Sequence, residues 1–389
     1  MFDQIKQRDQ AYIAGTYGRF DVCLDHGRNA TCVDVEGKTY IDFTSGIGVN
    51  ALGFCDEGWI AAVTGQLDKL QHASNLYYTE PDGELAQMLC TSAGYSKVFF
   101  GNSGAEANEG AVKCARKYSF DKYGEGRSDI VTLRNSFHGR TVTTLAATGQ
   151  DAFHQYFQPF TGGFRYAAAN DLDDLHTVVD EQVCAVMFEP IQGEGGVLPL
   201  DRAYIQATAA FCAERDILLI ADEVQTGIGR TGTLLASEQL GVKPDIVTLA
   251  KGLGAGLPIG AVLLGERVSG TLGPGTHGST FGGNPIVCAG ACEVLRRVTT
   301  AAFLDEVQRK GAYLREKISE MPGVEGVDGL GMMLGVRLKG KTSAEAAQAC
   351  VESGLLILTA KQKLRLLPPL TITMEEIDRG LAILAKVLD

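Results

Sequence analysis

The sequence lacks the features that would direct it to nucleic acid, to an anionic membrane or to a metal ion. It has no cluster of basic residues, and its 47 acidic residues outnumber 35 basic ones, for a net charge of −12. Such a chain is repelled by phosphate-rich surfaces, so we expect no nucleic acid and no membrane as partner. The six histidines are scattered without the spacing of metal ligands, and we expect no metal.

Disulfide pairing and membrane insertion are also disfavoured. The ten cysteines include no Cys-x-x-Cys pair, and most lie in apolar runs, where cysteine packs as a small hydrophobic residue. No apolar run approaches the roughly 18 residues of a membrane-spanning helix. The polar start, Met1–Arg8, does not resemble a signal peptide. We therefore expect free thiols in a reducing cytoplasm.

What the chain does have is enough length and apolar content for a large core. It contains 389 residues, of which 45% are hydrophobic. This length exceeds the usual size of one domain, so two domains are predicted.

The most informative stretch is residues 245–264, where two apolar runs enclose a lysine and a Gly-rich turn. The first run predicts a buried strand that delivers Lys251 into a turn whose glycines let the backbone pass close to another group. The second run, Ile259–Leu264, leaves Lys251 without a local partner. An amine in apolar surroundings loses hydration, so its pKa falls and it becomes nucleophilic toward carbonyls. A flexible loop lysine would have the same sequence, so Lys251 alone is ambiguous.

Another apolar run, residues 216–221, ends in the acidic pair Asp222 and Glu223. Ligands of open parallel sheets bind beyond the carboxyl ends of the strands, so a carboxylate there can face an amine from another strand end. Pyridoxal phosphate requires such a pair. A lysine forms a Schiff base with it, and an acid keeps its pyridine nitrogen protonated so that the ring can take up electrons. The two segments together predict a pyridoxal phosphate site.

A third segment offers a place for a phosphate. Val98–Phe100 predicts a strand end, and the Gly-rich turn that follows enters a helix. The first N–H groups of a helix and its dipole favour an anion, and the small residues Ser103, Gly104 and Ala105 leave space for one. A nucleotide would suit the same turn.

The segment Arg134–Thr141 follows a further predicted strand, Asp129–Leu133. Phe137 can stack on a planar ring, and Arg140 can bind a carboxylate through two parallel hydrogen bonds. The alternatives are a core phenylalanine and a surface ion pair, which would stabilise the fold little.

Together with Asn-Ser-Gly-Ala-Glu-Ala-Asn-Glu at residues 102–109, these segments reveal a family resemblance. Nearly the whole chain resembles the class III (ω-type) aminotransferases of fold type I, and most closely the acetylornithine aminotransferases. The resemblance implies an α/β fold, with a mostly parallel sheet between helices in a large domain and a smaller α+β domain from both termini. It places residues 1–58 and 285–389 in the small domain and 59–284 in the large one.

The resemblance also implies roles in cofactor binding. Lys251 would hold pyridoxal 5′-phosphate and move the substrate proton, and Asp222 would keep the pyridine nitrogen protonated. Phe137 would stack on the ring, and Gln225 would hydrogen-bond its phenolic oxygen. A homodimer with shared active sites is implied. The remaining cofactor contacts would come from Ser103, Gly104, Ala105, Glu223, Val224 and the partner subunit's Thr280.

Substrate contacts are implied for Arg140 and Ser279, and for a gate in which Glu194 pairs with Arg365 and releases it. Ornithine-specific relatives have a tyrosine at the position of Gly46, so this glycine leaves room for an acylated nitrogen.

The family resemblance also bears on two further segments, residues 74–81 and 53–57. The aromatic segment 74–81 is expected at the dimer interface, although a packed loop would have the same composition. The family's Gly-His-x-His-Pro is replaced by Gly53–Glu57, which leaves the packing of that loop open.

The implied activity is transfer of the δ-amino group of N-acetylornithine to 2-oxoglutarate, a step of arginine biosynthesis. Succinylornithine, N-succinyl-diaminopimelate, ornithine and 4-aminobutyrate stay open as alternative donors. An aminomutase or racemase on the same fold would make no net transfer to a keto acid. A nucleotide-binding protein is disfavoured, because it has no need for Lys251, Asp222 and Phe137 together.

Overall fold

A computed structural model describes residues 1–389, which form thirteen helices and seventeen strands. The helices are α1 (Phe2–Tyr12), α2 (Ser45–Gly48), α3 (Glu57–Leu67), α4 (Glu80–Ala93), α5 (Gly104–Tyr123), α6 (Val142–Ala147), α7 (Leu172–Val178), α8 (Arg202–Glu214), α9 (Ala236–Leu240), α10 (Pro285–Val298), α11 (Ala301–Ser319), α12 (Ser343–Glu352) and α13 (Met374–Leu388).

The strands are β1 (Leu24–Arg28), β2 (Thr31–Asp34), β3 (Thr39–Asp42), β4 (Lys97–Gly101), β5 (Asp129–Leu133), β6 (Phe164–Ala167), β7 (Val183–Phe188), β8 (Ile191–Gln192), β9 (Leu198–Pro199), β10 (Leu218–Asp222), β11 (Ile246–Leu249), β12 (Gly260–Leu264), β13 (Val324–Leu330), β14 (Met333–Leu338), β15 (Leu355–Leu356), β16 (Leu358–Ala360) and β17 (Lys363–Leu366).

The central sheet has seven strands in the order β4-β12-β11-β10-β7-β5-β6. Strands β11, β10, β7, β5 and β6 are mutually parallel, and β12 is antiparallel to both of its neighbours. Every residue of β7, β10, β11 and β12 is buried, as expected for strands covered by helices on both faces. The mostly parallel sheet between helices that the sequence predicts is confirmed.

Helix α5 lies very close to this sheet because small residues form its inner face. Ala107, Ala111, Cys114 and Ala115 are fully buried, and a Cβ atom added to Gly110 would come within 3.0 Å of Val262 in β12. The close approach fixes the N-terminus of α5 at the carboxyl edge of the sheet, beside the ends of β10 and β11.

Strands from both ends of the chain share a second sheet. It has the order β1-β2-β3-β15, and β15 pairs in parallel with β3 through Leu355 opposite Ile41. A third sheet has the order β13-β14-β17-β16. The alternation of apolar and polar residues over Thr31–Phe43 predicts a hairpin with its turn at Gly37, and the hairpin forms as β2 and β3, with Gly37 at a φ of 87°.

Two strand patterns in the sequence form in part. The alternation of apolar and polar residues at Phe20–Leu24 predicts part of a hairpin, but the strand begins only at Leu24. The apolar pattern at Gly354–Thr359 predicts strand structure, and the segment forms β15 and β16, which belong to different sheets and are separated by Ile357. Nowhere does a helix combine the length and apolar character needed to span a bilayer.

Candidate active site

A cavity of about 440 Å³ opens at the carboxyl edge of the central sheet. Side chains and turns that follow β4, β5, β7, β10 and β11 line it, so five strand ends contribute to one site. Of the residues predicted from the sequence, those that line the cavity are Ser103, Gly104, Ala105, Phe137, Arg140, Asp222, Val224, Gln225 and Lys251.

Lys251 enters the cavity from the turn directly after β11. Its φ of 40° lies in the left-handed region, where a non-glycine residue is strained. Such strained residues cluster at functional sites. Burial lowers the pKa of its amine, although the carboxylates of Glu194, Asp222 and Glu189 oppose this and Arg365 adds to it. Lys251 therefore has the nucleophilic character expected of an amine that reacts with a carbonyl.

Asp222, at the end of β10, is held by three donors. Its Oδ2 accepts from Asn108 Nδ2 at 2.7 Å and faces His138 Nδ1 at 2.8 Å, while its Oδ1 accepts from the Val224 amide at 3.0 Å. Thr248 donates to Asn108 Oδ1 at 2.7 Å, which fixes the orientation of that amide. Three donors hold the carboxylate in place and leave Oδ1 able to accept one further hydrogen bond toward the cavity.

The first turn of α5 lines the cavity opposite Lys251. Ser103 caps the helix by accepting from the Glu106 amide at 3.2 Å, so the amides of Gly104 and Ala105 have no partner within the helix. Gly104 must be a glycine here, because a Cβ atom would come within 2.7 Å of Val224. With twenty residues, α5 presents its full dipole to an anion at this end.

Phe137 and Arg140 form the wall that follows β5. Glu189 accepts hydrogen bonds from the Phe137 amide at 2.9 Å and the Gly193 amide at 3.3 Å, which ties two loops together beneath the cavity. Burial, and then the charge of Asp222, raise the pKa of Glu189 well above its ordinary value. The Arg140 guanidinium lies 4.2 Å from the ring centre of Phe153 and 5.5 Å from that of Phe137. It makes no salt bridge and remains available for an anion.

Glu194 and Arg365, which are far apart in the sequence, are in direct contact. Arg365 Nη1 donates to Glu194 Oε1 at 2.5 Å and to Gln225 Oε1 at 3.3 Å. Burial favours the neutral form of Glu194, but the charge and hydrogen bond of Arg365 prevail and hold its pKa below the ordinary value. Because Gln225 lines the cavity, the ion pair lies directly behind the cavity wall.

Three predicted residues lie elsewhere in this chain. Glu223 points away from the cavity and accepts from the Ala236 amide at 2.6 Å and the Ser237 amide at 2.8 Å, at the start of α9. Ser279 and Thr280 line a separate surface cleft. Ser279 and Thr280 therefore do not line the cavity of their own subunit. Thr280 is exposed, which is compatible with a contact in the partner subunit's cavity.

The loop at residues 44–50 covers one side of the cavity, which Val49 lines. Ser45, Gly46, Ile47 and Gly48 all have a positive φ, of 42°, 62°, 68° and 76°. Four successive left-handed residues, one of them β-branched, make the short element α2 a strained turn. The nearest atom to a Cβ placed on Gly46 is Asn50 Nδ2 at 3.8 Å, so the space beside Gly46 is open.

The cavity is also lined by Asn108, His138 and Glu189, for which the sequence alone indicates no role in the site. His138 is fully buried, and its Nδ1 must carry the proton because it faces an acceptor, Asp222 Oδ2. Its Nε2 is buried without a partner. The only available signal is that both His138 and Asn108 belong to segments already assigned to the site.

These residues fit pyridoxal 5′-phosphate. An anion-binding helix start, a planar aromatic side chain, a hydrogen-bonded carboxylate and an amine of lowered pKa surround one cavity. Lys251 would hold the aldehyde carbon, the start of α5 the phosphate, and Asp222 the ring nitrogen.

Comparison with known proteins agrees with this geometry. Residues 12–388 match the family described as Aminotransferase class-III. The chain is 56% identical over 388 residues to the acetylornithine aminotransferase of Haemophilus ducreyi, which covers 99% of this chain and 98% of that protein. It is 46% identical over 385 residues to the acetylornithine aminotransferase of Caldanaerobacter subterraneus subsp. tengcongensis, which covers 98% of each.

Solved structures superpose over the whole chain. The ornithine aminotransferase from Toxoplasma gondii ME49 has a TM-score of 0.95 and 32% identity, covering 100% of this chain and 95% of that one. The N-acetylornithine aminotransferase from Stenotrophomonas maltophilia has a TM-score of 0.83 and 37% identity, covering 98% and 97%.

Proposed function

Because this chain belongs to the class III aminotransferases, we propose that it moves the δ-amino group of N-acetylornithine to 2-oxoglutarate. The products are N-acetylglutamate 5-semialdehyde and glutamate. The convergence of Lys251, Asp222 and the start of α5 on one cavity is the observation that supports this chemistry most strongly. The identity to relatives named for acetylornithine supports the choice of donor.

Bound pyridoxal phosphate supplies an electron sink for the substrate carbon that loses its proton. Lys251 Nζ accepts that proton, because burial lowers the pKa of its amine and so favours the neutral form, and it returns the proton at the other end of the reacting system. Asp222 would hold a positive charge at the ring nitrogen, and Asn108 and His138 keep the carboxylate in place. Phe137 would exclude water from one face of the ring.

Arg140 and Arg365 would divide the recognition of carboxylates between the two substrates. N-acetylornithine brings its terminal amine to the cofactor, so its carboxylate lies far from the ring, within the region that Arg140 serves. Glutamate brings its α-amine, so its near carboxylate needs a second cation. Arg365 is that cation, and Glu194 covers it while the acylated donor is bound.

The open space beside Gly46 supports an acylated donor. A side chain at this position would have to take a positive φ and would occupy the volume next to the cavity. Ornithine is therefore the weaker candidate donor, whereas the succinylated donors fit the same opening and are the second candidate.

A homodimer is proposed from an exposed apolar surface. Leu76, Tyr77, Tyr78 and Phe281 are 87%, 71%, 105% and 60% exposed, a degree of apolar exposure that marks an interface. The same loop as Phe281 holds Ser279 and Thr280, which would reach the partner subunit's cavity. We also propose a cytoplasmic location, and two domains at 1–58 with 285–389 and at 59–284; the pairing of β3 with β15 supports this division into domains.

A half-reaction screen tests the proposal. The holoenzyme is mixed with N-acetylornithine, succinylornithine, N-succinyl-diaminopimelate, ornithine or 4-aminobutyrate, and the loss of the visible cofactor band is followed in a single turnover. N-acetylornithine should give the largest rate divided by its dissociation constant. A faster reaction with another donor would identify that donor as the substrate. The absence of a reaction with every donor would contradict the proposed aminotransferase activity. Lys251→Ala should lose covalent cofactor, as shown by borohydride reduction and peptide mapping.

A further inference from the structure

The loop at residues 275–284 is anchored at two places within its own subunit. At one end, Asn75 Nδ2 donates to the carbonyls of Ser279 and Gly282 at 3.0 and 2.9 Å, and Asn102 Nδ2 donates to Ser279 Oγ at 3.2 Å. At the other end, Lys113 Nζ lies 2.9 Å from His277 Nδ1. Thr280 lies between Ser279 and Gly282, three residues after His277, and is exposed.

The contact between Lys113 and His277 has a defined direction. An ammonium group can only donate, so His277 Nδ1 accepts and the proton of the neutral ring is on Nε2. The ring packs on Phe99 with 4.5 Å between centroids, and its Nε2 would lie 3.5 Å from a Cβ atom at Gly110. The imidazole is therefore seated against α5 and β4 and is not free to turn.

We propose that Lys113 and His277 act as positioning residues that set the loop of one subunit so that its Thr280 binds the cofactor phosphate of the partner subunit. The inference rests on the proposed function, in which Thr280 reaches across a homodimer. Neither residue touches the cofactor of its own subunit, since Lys113 and His277 line the surface cleft with Thr280 and not the cavity with Lys251.

The anchor gives α5 two tasks. Its first turn, at Ser103–Ala105, holds the phosphate in its own cavity. Lys113, ten residues or about 15 Å further along the helix, holds the loop that serves the other cavity. A displacement of α5 would consequently affect both cofactor sites of the dimer.

The dissociation constant of pyridoxal phosphate for the apoprotein is the first measurement. His277→Ala and Lys113→Met should each raise it about 3- to 10-fold, as expected for the loss of one charge-assisted hydrogen bond. The double variant should be no weaker than the singles, because both remove the same contact. Lys117→Met is the matched control: it removes a lysine from the same helix that pairs with Asp121 and does not touch the loop. Equal effects of Lys117→Met and Lys113→Met, or additive losses in the double variant, would contradict the anchor.

Hybrid dimers show in which subunit the anchor acts. Lys251→Ala in one subunit leaves a dimer with a single Lys251. Borohydride added after dilution traps the cofactor that is still bound at this lysine, and the trapped amount measures retention. With His277→Ala in that same Lys251→Ala chain, the intact cavity receives the altered loop, and cofactor should be lost faster than from a hybrid that has Lys251→Ala alone. With His277→Ala in the other chain, the intact cavity receives an unaltered loop, and retention should match that hybrid. The reverse pattern, or equal loss in both, overturns the inference.

Thr280→Ala separates this inference from the proposed function. If Thr280→Ala weakens cofactor binding while His277→Ala and Lys113→Met do not, the anchor is wrong and the crossing of Thr280 stands. If Thr280→Ala has no effect, the proposed role of Thr280 fails, and the anchor proposal fails with it. Size-exclusion chromatography of each variant shows whether the dimer persists, so that loss of assembly is not mistaken for loss of positioning.

Discussion

Arg365 Nη1 donates to Glu194 Oε1 at 2.5 Å, and this one carboxylate is the only acid in contact with a guanidinium group that is 3% exposed. A buried cation with a single counterion cannot lose that partner without replacement, because an unpaired buried charge costs several kcal/mol. The side chain of Glu194 is 30% exposed and so has room to move. The proposed gate requires this pair to open when a substrate carboxylate takes the place of Glu194.

Arg365→Ala should damage the glutamate half-reaction far more than the N-acetylornithine half-reaction. Glutamate loses the cation for its near carboxylate, at a cost of about 2–5 kcal/mol, or roughly 30- to several-thousand-fold in rate divided by dissociation constant. Single-turnover absorbance changes with each amino donor measure both. Equal losses for the two donors would contradict the gate.

Glu194→Ala should shift the same preference in the opposite direction. Without the carboxylate, Arg365 faces the substrate permanently, which favours glutamate and penalises the acylated donor. The ratio of the two single-turnover rates, relative to wild type, is the quantity to compare. A change in this ratio toward N-acetylornithine would exclude masking by Glu194.

Arg140→Lys should impair both half-reactions, since each substrate brings a distal carboxylate to this wall. Lysine keeps the charge but loses the bidentate hydrogen bonds to a carboxylate and the contact with the Phe153 ring. We expect this loss to cost about 1–3 kcal/mol of substrate binding free energy. Saturation curves for both donors should show the loss mainly in the dissociation constant. An unchanged dissociation constant in Arg140→Lys would show that charge alone suffices.

Asp222→Asn should bind the cofactor but lose most turnover, because a neutral amide cannot hold a positive charge at the ring nitrogen.

His138→Leu removes one of the three donors to the Asp222 carboxylate and should produce a smaller loss of turnover than Asp222→Asn, of about 1–3 kcal/mol in activation free energy. The spectrum of bound cofactor should change in both variants. Asn108→Ala serves as the companion variant, since it removes another donor to the same oxygen.

Cofactor retention should fall at a pH below 6.5, the ordinary pKa of a histidine, because the pKa of His277 is lowered from that value. Burial, and then the charge of Lys113, lower the pKa of His277, against the opposing effect of Glu109 and Glu106. The neutral ring and its contact with Lys113 therefore persist through neutral pH and are lost once the pH falls through the lowered value. His277→Gln keeps an acceptor that does not titrate, so its retention should lack this fall. A parallel decline in the variant would assign the effect to other groups.

The positions of Lys251 and Asp222 could be predicted because both follow apolar runs that form buried parallel strands. Strand ends in such a sheet meet at one edge, so two separate segments place their next residues together. The phosphate cradle was predictable for the same reason, since small residues stand between β4 and α5. In each case a local pattern and one topological rule were sufficient.

The contact of His138 with Asp222 could not be predicted, because it joins loops after different strands and depends on a side-chain direction. The family resemblance implies a cofactor contact for Glu223, yet successive side chains of an extended segment, such as Asp222 and Glu223, point to opposite sides. Its carboxylate lies at the start of α9 instead. Likewise, the break at Ile357 between β15 and β16 follows from sheet pairing with distant strands and leaves no mark in the local apolar pattern.

The parallel pairing of β3 with β15 has a consequence for synthesis on the ribosome. Strand β3 emerges early, but its partner around Leu355 is made only when most of the chain has already been translated. Until then the edge of β3 presents unpaired backbone groups, and nascent chains on neighbouring ribosomes can pair with it. A premature stop codon anywhere before β15 should consequently yield an insoluble fragment that requires a chaperone, even where the whole central sheet has been encoded.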